Sequence, residues 1–391
     1  MNSAVLKRNI KRRISAGHPW IYDNEIERCE SPLDGSLVDV FTFSGQFVGR
    51  GYYNSNSIIR IRLLTRKNVP IDREFFKERF SRVFRAREGL LRNSNAVRVI
   101  FGEADGVPGL IVDRFSDYLV VQFNTLGINT FRDEIVESLV KLFNPPGIYE
   151  KSEGLALSKE GLERREEWIH GKGPELIPFV LNGIRFLADT KGQKTGFFLD
   201  QRENALRLSP MSDGGRVIDL FSYTGNFALH CLAGGAREAT LVDISQRALD
   251  VARESASLNG WKDRCTFITA NAFDYLRESD QSSADIIVID PPAMAKSSSS
   301  KANALRGYKE LNLRAIKSLR SGRLLATSSC TQILSEEEWQ RSINEAFQDS
   351  KKLGIVSFRG GQPPDHPEVS SIYETKYLKF LIYRVFGINE F

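Results

Sequence analysis

Two short apolar runs, each ending in an aspartate, set the tightest limit on how this chain can fold. Val217-Ile218 leads into Asp219, and Thr240-Leu241-Val242 leads into Asp243, 24 residues later. Between them lie a small-residue turn ending at Gly225 and a helical pattern from Phe227 to Ala233. Strand, turn, helix and strand in that order open a parallel α/β unit. An acid after the second strand can take both hydroxyls of a ribose. A pyrophosphate needs several glycines so that backbone amides can close on it, and this turn offers only Gly225. A nucleoside ligand without phosphates fits better.

S-adenosylmethionine is such a ligand, ending in an amino acid instead of a phosphate. It needs an acid near its ammonium group, helix N-terminal amides near its carboxylate and an acid for its ribose. Asp219 and Asp243 suit the two acidic roles. The expected contacts are Asp219, Phe221, Ser222, Tyr223 and Gly225 on the first turn, with Asp243, Ile244 and Ser245 on the second. Gly225 also reads as an ordinary strand-to-helix turn. The segment Gly192 to Arg202 precedes this unit as a hairpin-to-helix lead-in. From it Lys194, Thr195 and Arg202 are expected at the amino-acid end of the cofactor or its adjoining acids, and Phe198 packed against it, while Phe197 and Leu199 serve the core.

The unit continues in the order that a nucleoside-binding sheet requires. A third strand, Thr266 to Asp274, ends in polar residues, where Asn271, Ala272 and Asp274 would meet the adenine; Asn271 and Asp274 equally suit helix capping. The fourth run, Ala284 to Ile289, is apolar enough for a strand buried on both faces. It ends in Asp290-Pro291-Pro292, where the two prolines stiffen the turn and fix the carboxylate over the crevice, placing Asp290 and Pro291 at the cofactor. A fifth strand, Gly322 to Ser328, runs into Ser329-Cys330-Thr331. Buried cysteines are usually small hydrophobes, the expectation for Cys231 and Cys265. Cys330 stands instead at a strand end bordering the crevice, so a nucleophile competes with a core thiol.

The chain resembles the ribosomal RNA large-subunit methyltransferase I family, cytosine-5 methyltransferases that carry an N-terminal PUA domain. The likeness rests on Gly17-His18-Pro19-Trp20, Gly51-Tyr52-Tyr53-Asn54 and the run from Gly102 to Arg114. It continues through Gln193 to Arg202, Asp290 to Ser297, Gly307 to Asn312, Asp365-His366-Pro367 and Tyr377-Leu378-Lys379. Two departures are mild: the family's Ser-Cys-Ser step is Ser329-Cys330-Thr331, and Met294 stands where relatives often carry an aromatic residue. The resemblance implies large-subunit rRNA as partner and a C-terminal Rossmann-like methyltransferase domain. Carbon 5 of cytosine is too weak a nucleophile to take a methyl group from a sulfonium unaided. A thiolate added at carbon 6 by Cys330, with Asp290 hydrogen-bonding or protonating N3, makes it one. A free thiol has a pKa of about 8.5, so attack at neutral pH needs local depression or coupled proton transfer. Pro292, Lys296 and Tyr308 are candidate substrate contacts, Lys296 and Tyr308 equally plausible as ordinary surface residues. The sequence does not name the base that removes the carbon 5 proton. A target cytosine must be unpaired or flipped out, costing roughly a few kcal/mol.

The N-terminal half fits a nucleic-acid partner. Lys7, Arg8, Lys11, Arg12 and Arg13 form a run without acids in a chain whose net charge is only +5. Strand-rich stretches at Ser36–Phe43, Phe47–Tyr53 and Ile58–Leu64 follow, suiting a small PUA-like β-barrel over residues 1–70. An α+β middle domain is expected over 71–183, with a helix from Asp72 to Asn93, and the methyltransferase domain over 184–391. With 41% hydrophobic and 26% charged residues the composition is that of an ordinary soluble chain, and 391 residues exceed one core. No apolar run reaches the roughly 20 residues that span a bilayer, and no signal-peptide core is present, so a cytosolic location without membrane contact is the expectation. Four scattered cysteines and four histidines argue against a metal site. A homodimer stays open. Two other readings stay open at this level: a methyltransferase for a guanine nitrogen or a protein, with Cys330 structural, and a non-catalytic RNA-binding factor.

Overall fold

A computed structural model describes residues 2–30, 32–295 and 297–390. At the N-terminal end six strands form one sheet in the order Trp20–Ile21, Ile61–Thr65, Phe47–Tyr53, Leu37–Phe41, Asn2–Leu6, Ile26–Cys29. Alternation along the strands turns Ala4, Leu6, Val38, Val40, Ile61 and Leu63 into a common core with Ile14 and Ile21. Asn2–Leu6 is illegible as a strand locally; its parallel pairing with Leu37–Phe41 supplies the reason it is extended. Of the basic run, Lys7, Arg8, Lys11 and Arg12 are exposed. Arg13 is turned inward onto Glu25 and the Trp20 carbonyl.

A five-stranded sheet follows, ordered Arg165–Gly171, Gly147–Ser152, Tyr118–Phe123, Leu110–Phe115, Ala96–Phe101. The helix Arg73–Arg85 starts where the Asp72 side chain accepts the Phe75 amide at 3.0 Å, and it buries Phe76 and Phe80. It stops well short of Asn93. Arg87 is buried and reaches the Val99 carbonyl and Asp105, which pulls the chain out of helical register. Several of the long motifs are architectural here. Asp113 holds the Arg98 guanidinium through both oxygens, at 2.8 and 2.7 Å, and the Tyr52 hydroxyl donates to the Pro108 carbonyl at 2.9 Å.

The C-terminal sheet has seven strands. In chain order its elements are α1 (Arg202–Leu208), β1 (Arg216–Leu220), α2 (Asn226–Ala233), β2 (Glu238–Asp243), α3 (Gln246–Leu258), β3 (Cys265–Thr269) and α4 (Ala272–Glu278). They continue as β4 (Ile286–Ile289), α5 (Lys301–Ser318), β5 (Leu324–Ser329), α6 (Glu336–Ser350), β6 (Lys352–Gly360) and β7 (Lys379–Gly387). The strand order is β3-β2-β1-β4-β5-β7-β6, with β1 to β5 parallel and β7 antiparallel to both neighbours. The order reverses between β1 and β4, which opens a crevice at their carboxyl ends. Ile287, Ile289 and Leu325 pack on Tyr308, Leu311, Trp339 and Ile343 of α5 and α6.

By packing, the chain divides into two units: Met1–Phe179 with Ala188–Gly196 and Pro364–Thr375, and Val180–Leu187 with Phe197–Pro363 and Lys376–Phe391. Among the described residues no helix is long and apolar enough to cross a membrane. None of them form a group of three or more potential metal ligands.

Candidate active site at the sheet switch point

The turn after β1 is strained. Phe221 and Tyr223 both have positive φ, at 60° and 46°, in a region that side chains other than glycine seldom occupy. Gly225, at φ +84°, then caps α2, and a Cβ there would come within 2.9 Å of Leu241. The winding aims α2 at the turn, and the Ala228 amide donates to Asp219 Oδ2 at 3.0 Å. Asp219 Oδ1, Ser222 Oγ and both side-chain amide atoms of Asn226 are buried and meet no hydrogen-bond partner among the described residues. Burial raises the Asp219 carboxyl well above its usual range; the Ala228 amide opposes this, and the charges of Asp290 and Asp243 add to it. Gly225→Ala is expected to cost about 1–3 kcal/mol in stability through strain and the Leu241 clash, measured by denaturant unfolding.

Asp243 closes the next turn. Its Oδ2 accepts the Tyr223 amide at 2.9 Å and its Oδ1 the Ser245 amide at 2.8 Å, which fixes the carboxylate while leaving lone pairs for two hydroxyls. Ser245 itself caps α3 by accepting the Ala248 amide. Ile244 beside it is 75% exposed, an apolar face next to the acid. At the β3 turn, Asn271 is exposed and caps α4 through the Phe273 amide, Ala272 is buried in the core, and exposed Asp274 pairs with Arg277. Phe198 meets Tyr223 edge-on at 5.0 Å. A crevice edge that brings the buried Asp219 together with Asp243 and Asp290, beside unmatched buried polar atoms, suits a ligand that carries positive charge and several hydrogen-bonding groups. S-adenosylmethionine, with a sulfonium, an ammonium and a ribose, meets that description.

The chemical end of the crevice is assembled from four elements. Asp290 Oδ1 accepts Gln201 Nε2 at 2.8 Å and also the Ser328 hydroxyl of β5. Burial pushes its carboxyl up to about 7, against the Ser328 and Gln201 hydrogen bonds and with the Asp200 charge helping. The partly exposed Cys330 thiol lies 3.8 Å from the Pro291 carbonyl. Its neighbours are clamped: Ser329 Oγ and Thr331 Oγ1 meet the Tyr308 hydroxyl at 2.9 and 2.8 Å, and the Met294 amide donates to Thr331 Oγ1 at 3.1 Å. Lys379 Nζ of β7 donates to the carbonyls of Thr331 and Tyr377, each at 3.0 Å. Burial lowers its pKa to about 8, with Cys330 acting the other way.

Other expected residues have partners within the fold. Tyr308 is fully buried and its hydroxyl, pushed up to about 12 by burial, braces the cysteine loop, so a direct substrate contact gives way to a structural role. Thr195 falls in the first unit, where its hydroxyl donates to Asp113 at 2.6 Å, and the Lys194 amide donates to Glu153 at 2.8 Å. Arg202 is buried in α1, and its carbonyl accepts the Asn182 amide. Pro291 is buried and Pro292 exposed. Lys296 lies outside the described residues. Cys231 is buried, as expected, and Cys265 is partly buried, with its thiol raised to about 11 by burial. Gln201, Ser328 and Lys379 were not expected at the site. Gln201 and Lys379 lie inside motifs that the sequence displays, but only tertiary contact gives them partners.

The seven-stranded order and its crevice define a class I methyltransferase architecture, and residues 152–384 match the family model for S-adenosylmethionine-dependent methyltransferases, with residues 4–66 matching a PUA-like domain. Ribosomal RNA large subunit methyltransferase I of Aeromonas hydrophila is 36% identical, covering 98% of this chain and 99% of its own. The protein of the same name from Vibrio cholerae is also 36% identical, over 93% of this chain and 94% of its own. The chain belongs to the ribosomal RNA large subunit methyltransferase I family. Its fold is shared with a SAM-dependent methyltransferase from Streptococcus mutans, with a TM-score of 0.83 at 21% identity over 98% of this chain and 100% of that one. A methyltransferase structure complexed with SAH gives 0.84 at 22% identity over the same shares.

Proposed function

We propose that the protein methylates carbon 5 of a cytosine in large-subunit ribosomal RNA through a transient bond between Cys330 and carbon 6. One observation carries the reading: a partly exposed thiol sits against the Asp-Pro-Pro turn beside a carboxyl group whose pKa lies near 7. A carboxylic acid that is half protonated at neutral pH can hold a proton at N3, which a carboxylate of ordinary pKa cannot. S-adenosylmethionine, when bound, supplies an electrophilic methyl group. Asp219, Ser222 and the α2 amides would hold its amino-acid end, and Asp243 its ribose, with Ile244 against the adenine. The chain's own residues do the rest. Cys330 releases its proton to solvent and adds to carbon 6 as the thiolate, Asp290 delivers a proton to N3, and the ring electrons collect at carbon 5.

The substrate follows from the relatives' name and from the PUA-like segment, whose exposed Lys7, Arg8, Lys11 and Arg12 supply phosphate contacts. On this reading residues 1–70 bind RNA, 71–183 set its distance, and 184–391 catalyse. The deciding experiment uses RNA with 5-fluorocytosine at the target. Fluorine cannot leave as a proton does, so the wild type with S-adenosylmethionine should give a denaturant-resistant protein–RNA complex in about one-to-one yield, and Cys330→Ala none. A wild type that methylates ordinary RNA but never traps on the fluorinated one would sink the covalent route.

A further inference from the structure

Cytosine-5 methylation leaves a step that neither Cys330 nor Asp290 performs. After the methyl group arrives, carbon 5 still carries its hydrogen, and a base must remove it before the cysteine can leave. The contacts around the crevice form a closed circuit. Asp290 is held by Gln201; the preceding residue, Asp200, accepts the Tyr377 hydroxyl on Oδ2 at 2.7 Å; the Tyr377 carbonyl and the Thr331 carbonyl are both bound by Lys379; and Thr331 follows Cys330, whose thiol returns to Pro291. Each candidate base on this circuit can be weighed. Asp290 is engaged at N3. Tyr308 is buried and bonded to Ser329 and Thr331. The Lys379 ammonium donates to two carbonyls. Tyr377 donates its proton to Asp200, which identifies the latter as the acceptor of the pair. Asp200 remains: partly exposed, its carboxylate fixed by one hydrogen bond.

We propose that Asp200, oriented by Tyr377, is the base that takes the carbon 5 proton. The inference rests on the cytosine-5 reading above. Asp200 accepts the proton; the carbon–hydrogen electron pair becomes the C5–C6 double bond; the C6–S bond breaks with its pair remaining on Cys330. N3 then returns its proton to Asp290, and Asp200 releases its own to water. No oxidant, reductant or further reactant is needed.

The test is tritium release from RNA carrying [5-³H]cytosine, run with trapping on ordinary, unfluorinated RNA. Asp200→Asn should slow tritium release by at least about 100-fold, the usual scale for a lost general base. It should also accumulate a methylated covalent complex on ordinary RNA, which the wild type does not, while S-adenosylmethionine affinity by calorimetry stays within about twofold. Asp200→Glu, which keeps a carboxylate, should recover at least about tenfold over Asp200→Asn. Tyr377→Phe should slow release about fivefold, as expected for one lost orienting hydrogen bond. Release by Asp200→Asn within about threefold of wild type, or equal release by the Asn and Glu variants, overturns the assignment. If Asp200→Asn does not fold, unchanged release by Tyr377→Phe overturns it. A wild type that releases no tritium while methylating RNA overturns the cytosine-5 reading itself, and this inference with it; failure confined to the variants leaves that reading standing.

Discussion

Replacing Cys330 with alanine is expected to lower methyl transfer by at least about 10³-fold while S-adenosylmethionine affinity changes by less than about twofold. The two effects separate because the thiol and the acids proposed for the cofactor lie on different strand ends. Cys330 follows β5 and touches the Pro291 carbonyl, whereas Asp219 and Asp243 end β1 and β2. Stability should hardly move, since the side chain is only partly buried and the loop around it is held by Tyr308, Thr331 and Lys379. Cys231→Ala is the contrasting control. That thiol is fully buried in α2, so its removal should lower the melting temperature and leave the rate per folded molecule largely intact. Single-turnover transfer from labelled cofactor, with calorimetry for binding, checks both arms. Normal transfer by Cys330→Ala would return the thiol to a structural role.

The second large effect belongs to Asp290. Asp290→Asn keeps the shape of the side chain but cannot exchange a proton with N3, and transfer should fall by about 10²–10⁴-fold. The pH dependence carries a sign. Burial raises the folded carboxyl to about 7, so the protonated form proposed to serve N3 prevails below that pH and is lost above it. The wild-type kcat/KM should therefore decline as pH rises through about 7, and residual activity of Asp290→Asn should not follow that limb. Stability obeys the same linkage. Between an unfolded carboxyl near pKa 3.9 and the folded value near 7, the folded state binds more protons than the unfolded chain, so this group's contribution to stability is lost as pH rises across that window. Relative to Asp290→Asn, the wild type should lose melting temperature from about pH 4 to about pH 7 and run parallel above it. A constant difference across the window would show that the carboxyl titrates normally.

Much of the catalytic half was legible because parallel strands buried on both faces leave uninterrupted apolar runs with their functional residues at the carboxyl ends. Asp219, Asp243, Asp290 and Cys330 all stand where such runs stop, and the sheet gathers their turns at its carboxyl edge on both sides of the crevice. The edge of the sheet was harder to read. β6 alternates partly buried residues with exposed Leu353 and Ile355, and β7 inserts antiparallel between β5 and β6, so neither continues the strand-helix rhythm. Asn271 and Ser245 read two ways in the sequence: polar residues at strand ends also suit helix caps, and both side chains cap helices here.

The sequence by itself determined the class of the fold, the two acids at the ends of the first two parallel strands, and the pairing of an Asp-Pro-Pro turn with a cysteine, since strand periodicity and turn chemistry are local properties. Only the tertiary structure decided what surrounds those residues. Gln201 and Ser328 reach Asp290 from segments 89 and 38 residues away, and Lys379 reaches Thr331 across 48. The raised carboxyl of Asp290 and the lowered ammonium of Lys379 follow from burial in that assembly. Desolvation and side-chain hydrogen bonds depend on which surfaces meet, and a linear pattern of residue types does not contain that information.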